Sequence, residues 1–228
     1  MVNTKAAVAE LFGTFALTFV GAGTLIITGN EPVPVALAHG LILAVMVSAT
    51  MHVSGGQINP AVSVALAAIG RQSWPQTGLL VVAQLAGAVA AAVLLNVMLS
   101  GEFPVAKLKI GATLGELSTG RGANVGVVLG LEAVATFFLM WVVMATNESQ
   151  SGGGLGGLAI GLTLAAMILC IGPATGGSLN PARSFGPQLV GGMTGVRDIW
   201  SMSWAYWAAP VAGAVAAAFL YRAVFRGP

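Results

Sequence analysis

Six apolar runs of about twenty residues, at about 6–28, 33–53, 78–99, 125–146, 155–171 and 204–225, constrain this chain more than any other feature. A helical run of that length matches the ~30 Å hydrocarbon core of a bilayer. Within that core the backbone finds no water, so it must satisfy its N–H and C=O groups in helices or in a closed barrel. The alternating pattern of barrel strands is absent, so the runs predict helices. Charge agrees with this reading. Only 7% of the 228 residues are charged and 57% are hydrophobic, whereas a soluble domain carries about 25% charged residues. The expected fold class is an all-α membrane protein with six transmembrane helices.

Several function classes fall away. A net charge of +2 gives no basis for nucleic-acid binding. The single cysteine, Cys170, excludes an internal disulfide and a cysteine metal cluster, and two histidines, His39 and His52, are too few for a zinc site. No metal and no cofactor are expected. No paired acid and base and no activated nucleophile stand out, so an enzyme is not expected. The N-terminus enters the first apolar run without a small-residue cleavage site, so no cleaved signal peptide is expected.

Two further apolar stretches, at 60–69 and 181–190, are too short to span. Each opens on Asn-Pro-Ala: Asn59, Pro60 and Ala61 in one, Asn180, Pro181 and Ala182 in the other. Asparagine is a favoured helix N-cap, and proline suits the first turn, where its missing N–H would be unpaired anyway. Each stretch therefore predicts a half-helix. Such a broken element at membrane depth is tolerated inside protein or beside a water-filled cavity.

The halves of the chain match. Gly55-Gly56 and Gly176-Gly177 precede the two triplets, Glu10, Thr14 and Phe15 recur as Glu132, Thr136 and Phe137, and the string AGAVAAA occurs at 86–92 and 212–218. This is an internal duplication. Three spans per copy send the second copy in from the opposite side, which makes an inverted repeat. The whole chain, 1–228, reads as one channel domain: a first repeat over 1–99, a connecting loop over 100–124 and a second repeat over 125–228. That loop carries Lys107, Lys109, Glu116 and Arg121. Charge does not set the orientation: Lys5, Arg71, Arg222 and Arg226 on one side balance Lys107, Lys109, Arg121 and Arg197 on the other.

Two half-helices entering from opposite sides bring their N-termini together at mid-membrane. Each N-terminus carries about half a positive charge, so the meeting point repels cations. A capping asparagine spends its oxygen on its own helix and keeps its NH2 donors for the cavity. Asn59 and Asn180 would then offer donors to one passing oxygen atom. Gly55, Gly56, Gln57, Gly176, Ser178 and Leu179 lie where backbone carbonyls should line a pore. Glu10 and Glu132 suit two roles: proton carriers in a coupled transporter, or structural acids that accept hydrogen bonds from the re-entrant loops. The duplicated setting favours the second. His52, just before the first loop, reads as a packing or bracing residue. Arg183 is costly at membrane depth and is expected to face a water path.

The segments SGGQINPAVS and TGGSLNPARSFGP, with six spans and the inverted repeat, resemble the aquaporins of the major intrinsic protein family over essentially the whole chain. The resemblance implies an aquaporin fold and a passive channel for water. It also implies an aromatic/arginine selectivity filter, falling here on His39, Ile168, Gly177 and Arg183. His, Ile, Gly and Arg resemble the filter of a subgroup of tonoplast intrinsic proteins that pass ammonia as well as water, so ammonia or other small neutral solutes are expected permeants. Gly177 is expected to leave room and Ile168 to remove a polar group. Glycerol facilitators, the alternative within the family, usually carry Asp where this chain has Ser184 and lack the pair Tyr206-Trp207; Gln188 fits neither pattern. An ion-coupled inverted-repeat transporter is the alternative from another class. The family further implies a homotetramer in the lipid bilayer, consistent with the small residues of AGAVAAA. It also implies a plasma (inner) membrane location with both termini cytoplasmic. On that orientation the glycosylation-like triplet at 147–149 faces the cytoplasm and is read as chance. Family sensitivity to mercurials often rests on a cysteine at the Gly177 position. Cys170 lies two residues, about 200°, from Ile168 and is expected to face away from the pore.

Overall fold

The computed structural model describes residues 2–115, 124–148 and 155–225. Glu116, Arg121, Arg226, Ser149 of the glycosylation-like triplet and the glycines at 152–154 lie outside the described residues. Eight α-helices occur among those described: α1 (Thr4–Thr28), α2 (Pro32–Ser54), α3 (Pro60–Ala68), α4 (Trp74–Leu99), α5 (Val125–Glu148), α6 (Gly156–Thr175), α7 (Pro181–Met193) and α8 (Ala205–Phe225). Six of them are long and apolar enough to cross a membrane, and α3 and α7 are the two half-helices.

Local chemistry sets the boundaries. Asn3 caps α1 by accepting from the Ala6 N–H at 3.1 Å, and Gly29 ends that helix in the left-handed conformation. Helix α4 starts four residues before the expected position 78, because Ser73 caps it and Pro75 sits in its first turn. Helix α6 runs to Thr175, past the expected end at 171. Pro173, which has no N–H to donate, lies inside the last turn, and Gly176 closes that turn onto the Gly172 carbonyl at 2.8 Å. Helix α7 likewise continues past Pro187 to Met193.

The repeats pack alike. Helix α1 lies against α4, and α5 against α8, each seam closed by a glycine facing a carbonyl. A Cβ at Gly87 would fall 2.2 Å from the Leu11 oxygen, and one at Gly213 would fall 2.0 Å from the Ala133 oxygen. No side chain fits there, so the helices approach to backbone distance. The core runs through the middle of the bundle, where Leu43, Val47, Leu139, Met140 and Leu164 cluster with Val62 of α3. Large apolar side chains such as Phe12, Val45, Val82, Val97, Phe138 and Phe219 point outward and are exposed. Such a surface suits lipid rather than water.

The connecting loop folds back over the bundle. A short turn, Lys109–Gly111, buries Ile110 among Ala22, Ile26, Leu95, Val105 and Val190. Its neighbours Gly111 and Thr113 thereby reach α7.

Candidate functional site

The two Asn-Pro-Ala loops have nearly superimposable backbones. Gly55 and Gly176 cap α2 and α6 with φ of 87° and 89°, Gly56 and Gly177 both have φ of 58°, and Ile58 and Leu179 have φ of 52° and 54°. A positive φ at a branched or bulky residue is unfavourable, so something must hold these turns. The holders are the two acids, both fully buried. Glu10 accepts from the Gln57 and Ile58 backbone N–H groups at 2.8 and 2.5 Å, from Ser54 Oγ at 2.6 Å and from Gln84 Nε2 at 2.7 Å. Glu132 accepts from the Ser178 and Leu179 N–H groups at 2.9 and 2.8 Å and from Thr175 Oγ1 at 2.7 Å. Two successive N–H groups thus aim at one carboxylate in each repeat. The tight turn this creates delivers Asn59 and Asn180 to the centre of the bundle.

There the repeats interlock. Asn59 Oδ1 accepts from the Ala61 N–H at 2.9 Å, while Asn180 Oδ1 accepts from the Ala182 and Arg183 N–H groups at 3.0 and 3.3 Å. The amide nitrogens reach across: Asn59 Nδ2 donates to the Leu179 carbonyl and Asn180 Nδ2 to the Ile58 carbonyl, both at 2.8 Å. The expectation that both donors of each amide stay free is corrected here. One hydrogen of each is used to tie one repeat to the other, leaving one per asparagine. Pro60, Ala61, Pro181 and Ala182 are buried in the first turns of the two half-helices.

Arg183 is 1% exposed and fully engaged on one side. Its Nη1 donates to the Gly111 carbonyl at 2.6 Å and its Nε to His39 Nε2 at 3.1 Å. His39 Nδ1 lies 2.8 Å from the Val35 carbonyl. A carbonyl only accepts, so Nδ1 carries the hydrogen and Nε2 offers its lone pair to the arginine. The ring lies flat against α1, where a Cβ on Gly21 would stand 2.2 Å from Nε2. Ile168 is 3% exposed on the neighbouring face of α6. Gly177 does not leave free space as expected: a Cβ there would lie 3.2 Å from Gly172 Cα and 3.3 Å from Ile168 Cα. The missing side chain lets the loop press on α6.

Two hollows lie near these residues, with no lining residue in common. One is narrow and is lined by Gly56, Gln57, Asn59, Ser178, Asn180, His39 and Arg183 on its polar side and by Leu17, Leu43, Val62, Leu139, Val143, Ile160 and Leu164 on its apolar side. The other is lined by Asn30, Pro32, Val35, Ile168, Gly172, Pro173 and Gly176. His39 and Arg183 bound the first, while Ile168 and Gly176 bound the second. Gly55 sits outside both, and Leu179 contributes its carbonyl to Asn59 from a fully buried position.

Other residues singled out by the sequence take lesser places. His52 is exposed, and the loop is braced instead by Ser54 and Gln57. Ser184 bonds Thr113 Oγ1 at 2.6 Å and Ser178 Oγ at 2.5 Å. Gln188 donates to the Thr113 carbonyl at 3.0 Å and accepts from Ser203 Oγ at 2.8 Å, which ties the connecting loop to the approach to α8. Tyr206 donates to the Thr175 carbonyl. Cys170 is exposed, on a different face of α6 from Ile168. Among the described residues no cluster of three His, Cys, Asp or Glu side chains forms a metal site. Sequence reasoning missed Gly21, Gln84, Gly111 and Thr113. Each acts on a residue distant in sequence; Gly21 and Gln84 are a small and a polar residue inside apolar runs, while Gly111 and Thr113 lie in the connecting loop, where nothing local marks them.

The fold and its centre define a class: a six-span membrane protein whose two inverted repeats meet through paired half-helices around a lumen. The family model for the major intrinsic proteins matches residues 1–221, and the chain belongs to that family. It is 41% identical to aquaporin TIP4-4 of Zea mays, over 97% of this chain and 86% of that one. It is 38% identical to aquaporin Z of Rhodopseudomonas palustris, over 99% and 95% of the two chains. The fold is shared with the solved aquaglyceroporin from Plasmodium falciparum, at a TM-score of 0.83 and 22% identity, covering 98% of this chain and 97% of that one. The protein is an integral membrane channel for water and small solutes, and its relatives are channels rather than enzymes.

Proposed function

We propose that water crosses this protein in single file past Asn59 and Asn180 and then past His39 and Arg183, and that ammonia follows the same path. The observation that carries the reading is the pinned asparagine pair. Each amide is locked across the repeats by a 2.8 Å bond and keeps one N–H for the lumen. A passing oxygen or nitrogen lone pair meets fixed donors there, while the paired helix N-termini disfavour cations. The wall opposite is apolar, so a permeant gains hydrogen bonds on one side only. At the filter, Arg183 and His39 bond each other, and Ile168 adds no polar group. That composition favours a solute less strongly hydrated than water, which supports ammonia as a second permeant.

The experiment is stopped-flow of proteoliposomes with water, ammonia, glycerol and urea in parallel. Water and ammonia should pass well above protein-free vesicles, and glycerol poorly. An imposed proton gradient should leave the fluxes unchanged; fluxes that followed it would convert the reading to a coupled transporter. Ile168→His places a polar ring at the filter and should lower ammonia flux several-fold while sparing water. Equal loss of both fluxes, or no ammonia flux in the unmodified protein, would sink the ammonia reading. Gly177→Cys is a poor partner for this test, because its Cβ would crowd α6.

The same reading puts both termini in the cytoplasm and four copies together, each with its own lumen. Six spans return the chain to the face it started from, and the broad apolar exterior supports close packing with lipid and with other copies. Analytical ultracentrifugation in detergent tests the assembly: a monomer with full water permeability on reconstitution would show that four copies are not required.

A further inference from the structure

Gln188 fits neither branch of the family by its residue type, yet it is fully buried on α7 and bonded at both ends of its amide. Its Nε2 donates to the Thr113 carbonyl at 3.0 Å, and its Oε1 accepts from Ser203 Oγ at 2.8 Å. A carbonyl only accepts, so the orientation of the amide is set. One end holds the connecting loop and the other holds the segment before α8.

Thr113 is gripped a second time from α7. Its Oγ1 lies 2.6 Å from Ser184 Oγ, and Ser184 stands one helical turn before Gln188 on the same face. Ser184 Oγ lies 2.5 Å from Ser178 Oγ, which donates to the Asn180 carbonyl at 2.9 Å. Ser178 spends its hydrogen there, so Ser184 donates to Ser178 and Thr113 donates to Ser184. Thr113 also packs on the second re-entrant loop, where a Cβ on Gly176 would stand 3.1 Å from its Cγ2. Two residues earlier, the Gly111 carbonyl receives Arg183 Nη1 at 2.6 Å. Gly111 has a φ of 72° and presses on α1, where a Cβ would fall 2.8 Å from Ala22 Cβ. Only Ala112 separates the carbonyl that meets the arginine from the residue that α7 grips.

The inverted repeat supplies an internal comparison. Counted from the capping asparagines, Val62 and Ala67 of α3 hold the places of Arg183 and Gln188 in α7, while Ser63 matches Ser184. The amide stands only in the half-helix that carries the cation. A guanidinium 1% exposed needs its acceptors in fixed places, and here one acceptor belongs to a loop that α7 itself holds. We propose that Gln188 is a positioning residue of the filter: by holding Thr113 it fixes the Gly111 carbonyl, and through that carbonyl it sets where Arg183 stands in the lumen. The proposal rests on the channel reading above. It gives Gln188 a part in excluding small polyols, since an arginine that swings off its acceptor leaves a wider filter.

The test uses the full chain in proteoliposomes, with water and glycerol flux measured by stopped-flow and thermal unfolding of each variant measured in detergent. The readout is the ratio of glycerol to water permeability, which does not depend on how much protein is reconstituted. Gln188→Met keeps the length and removes both bonds; the ratio should rise about five-fold, the scale of one hydrogen bond. Gln188→Asn withdraws the amide by one methylene; a rise of about three-fold is expected, and this gentler variant carries the test if the methionine protein does not fold. Ser203→Ala removes only the bond to the segment before α8 and should leave the ratio within about two-fold of wild type. Arg183→Val puts at the filter the residue type that the first repeat carries as Val62. It should raise the ratio by itself, and adding Gln188→Met should then raise it no further. A lower unfolding temperature with an unchanged ratio in the Gln188 variants would leave Gln188 a brace and overturn the proposal. So would an equal rise in Ser203→Ala, or the same further rise in the Arg183→Val background. Wild-type vesicles no faster for water than protein-free ones would remove the channel reading itself, a failure distinct from these.

Discussion

At the scale of single residues, the contacts that shape the filter come from positions with little chemistry of their own. Gly21 is the clearest. Its hydrogen is all that fits against the His39 ring, with a Cβ falling 2.2 Å from Nε2. Gly21→Ala should drive the ring toward the lumen and break its bond to Arg183 Nε. Overpacking of this kind costs about 1–3 kcal/mol, and water flux should fall along with stability. Gly78→Ala is the control, since a Cβ there meets nothing within 4 Å; it should leave flux and melting temperature near wild type. Stopped-flow and thermal unfolding on both variants check the pair, and an unaffected Gly21→Ala channel would show that the ring does not need its present position. Cys170 gives a second test at this scale. It is exposed, so a mercurial should bind it and still block water weakly. Strong block, lost again in Cys170→Ser, would place that side chain on the permeation path. Arg183 and His39 were legible in the sequence because charged and ionisable groups are conspicuous among apolar ones. Gly21 was not, since a glycine required for contact reads the same as any other glycine in the chain.

At the scale of elements, capping chemistry made most boundaries readable. Asn-Pro at the start of α3 and α7 announced each half-helix, and the structure places the asparagines as caps and the prolines in the first turn. The misjudged ends have local causes. Ser73 caps α4 and starts it before the apolar run begins, and α6 carries Pro173 inside its last turn and runs on to Thr175, beyond the apolar run that ends at 171. The seams between helices were less legible, because they depend on which backbone faces which glycine. They predict a steep response. At Gly213 any side chain meets the Ala133 carbonyl, with Cβ at 2.0 Å, so Gly213→Val must separate α5 from α8 or fail to fold. Gly130→Val, where a Cβ meets nothing within 4 Å, should be tolerated. The yield of monodisperse protein in detergent distinguishes the two; equal yields would mean that the α5–α8 seam is looser than its geometry.

At the scale of the whole molecule, the inverted repeat was visible from matched strings, but the places where the halves differ were not. Matching AGAVAAA at 86–92 with 212–218 puts Pro210 in the second repeat where the first has Gln84. The consequence appears only in three dimensions. Gln84 Nε2 bonds both Glu10 at 2.7 Å and Ser63 Oγ at 3.0 Å, so the first acid gathers four donors from three helical neighbourhoods. Proline has no donor to give, and Glu132 gathers three. Replacing either acid by glutamine leaves one oxygen where two accepted, and turns an NH2 toward a backbone N–H. At Glu10 the displaced partners include a side chain as well as backbone, so more donors are left buried and unpaired. Each such donor costs about 1–3 kcal/mol, and 1 kcal/mol moves the melting temperature of a chain this size by roughly 2–4 °C. Glu10→Gln should therefore unfold several degrees below Glu132→Gln, with both below wild type. Thermal unfolding of the two variants in one detergent measures the difference. Equal temperatures would mean that Gln84 braces only Ser63 and that the loops are held alike. The reverse order would mean that the second loop depends on its acid alone, and that the first is stabilised by its other contacts.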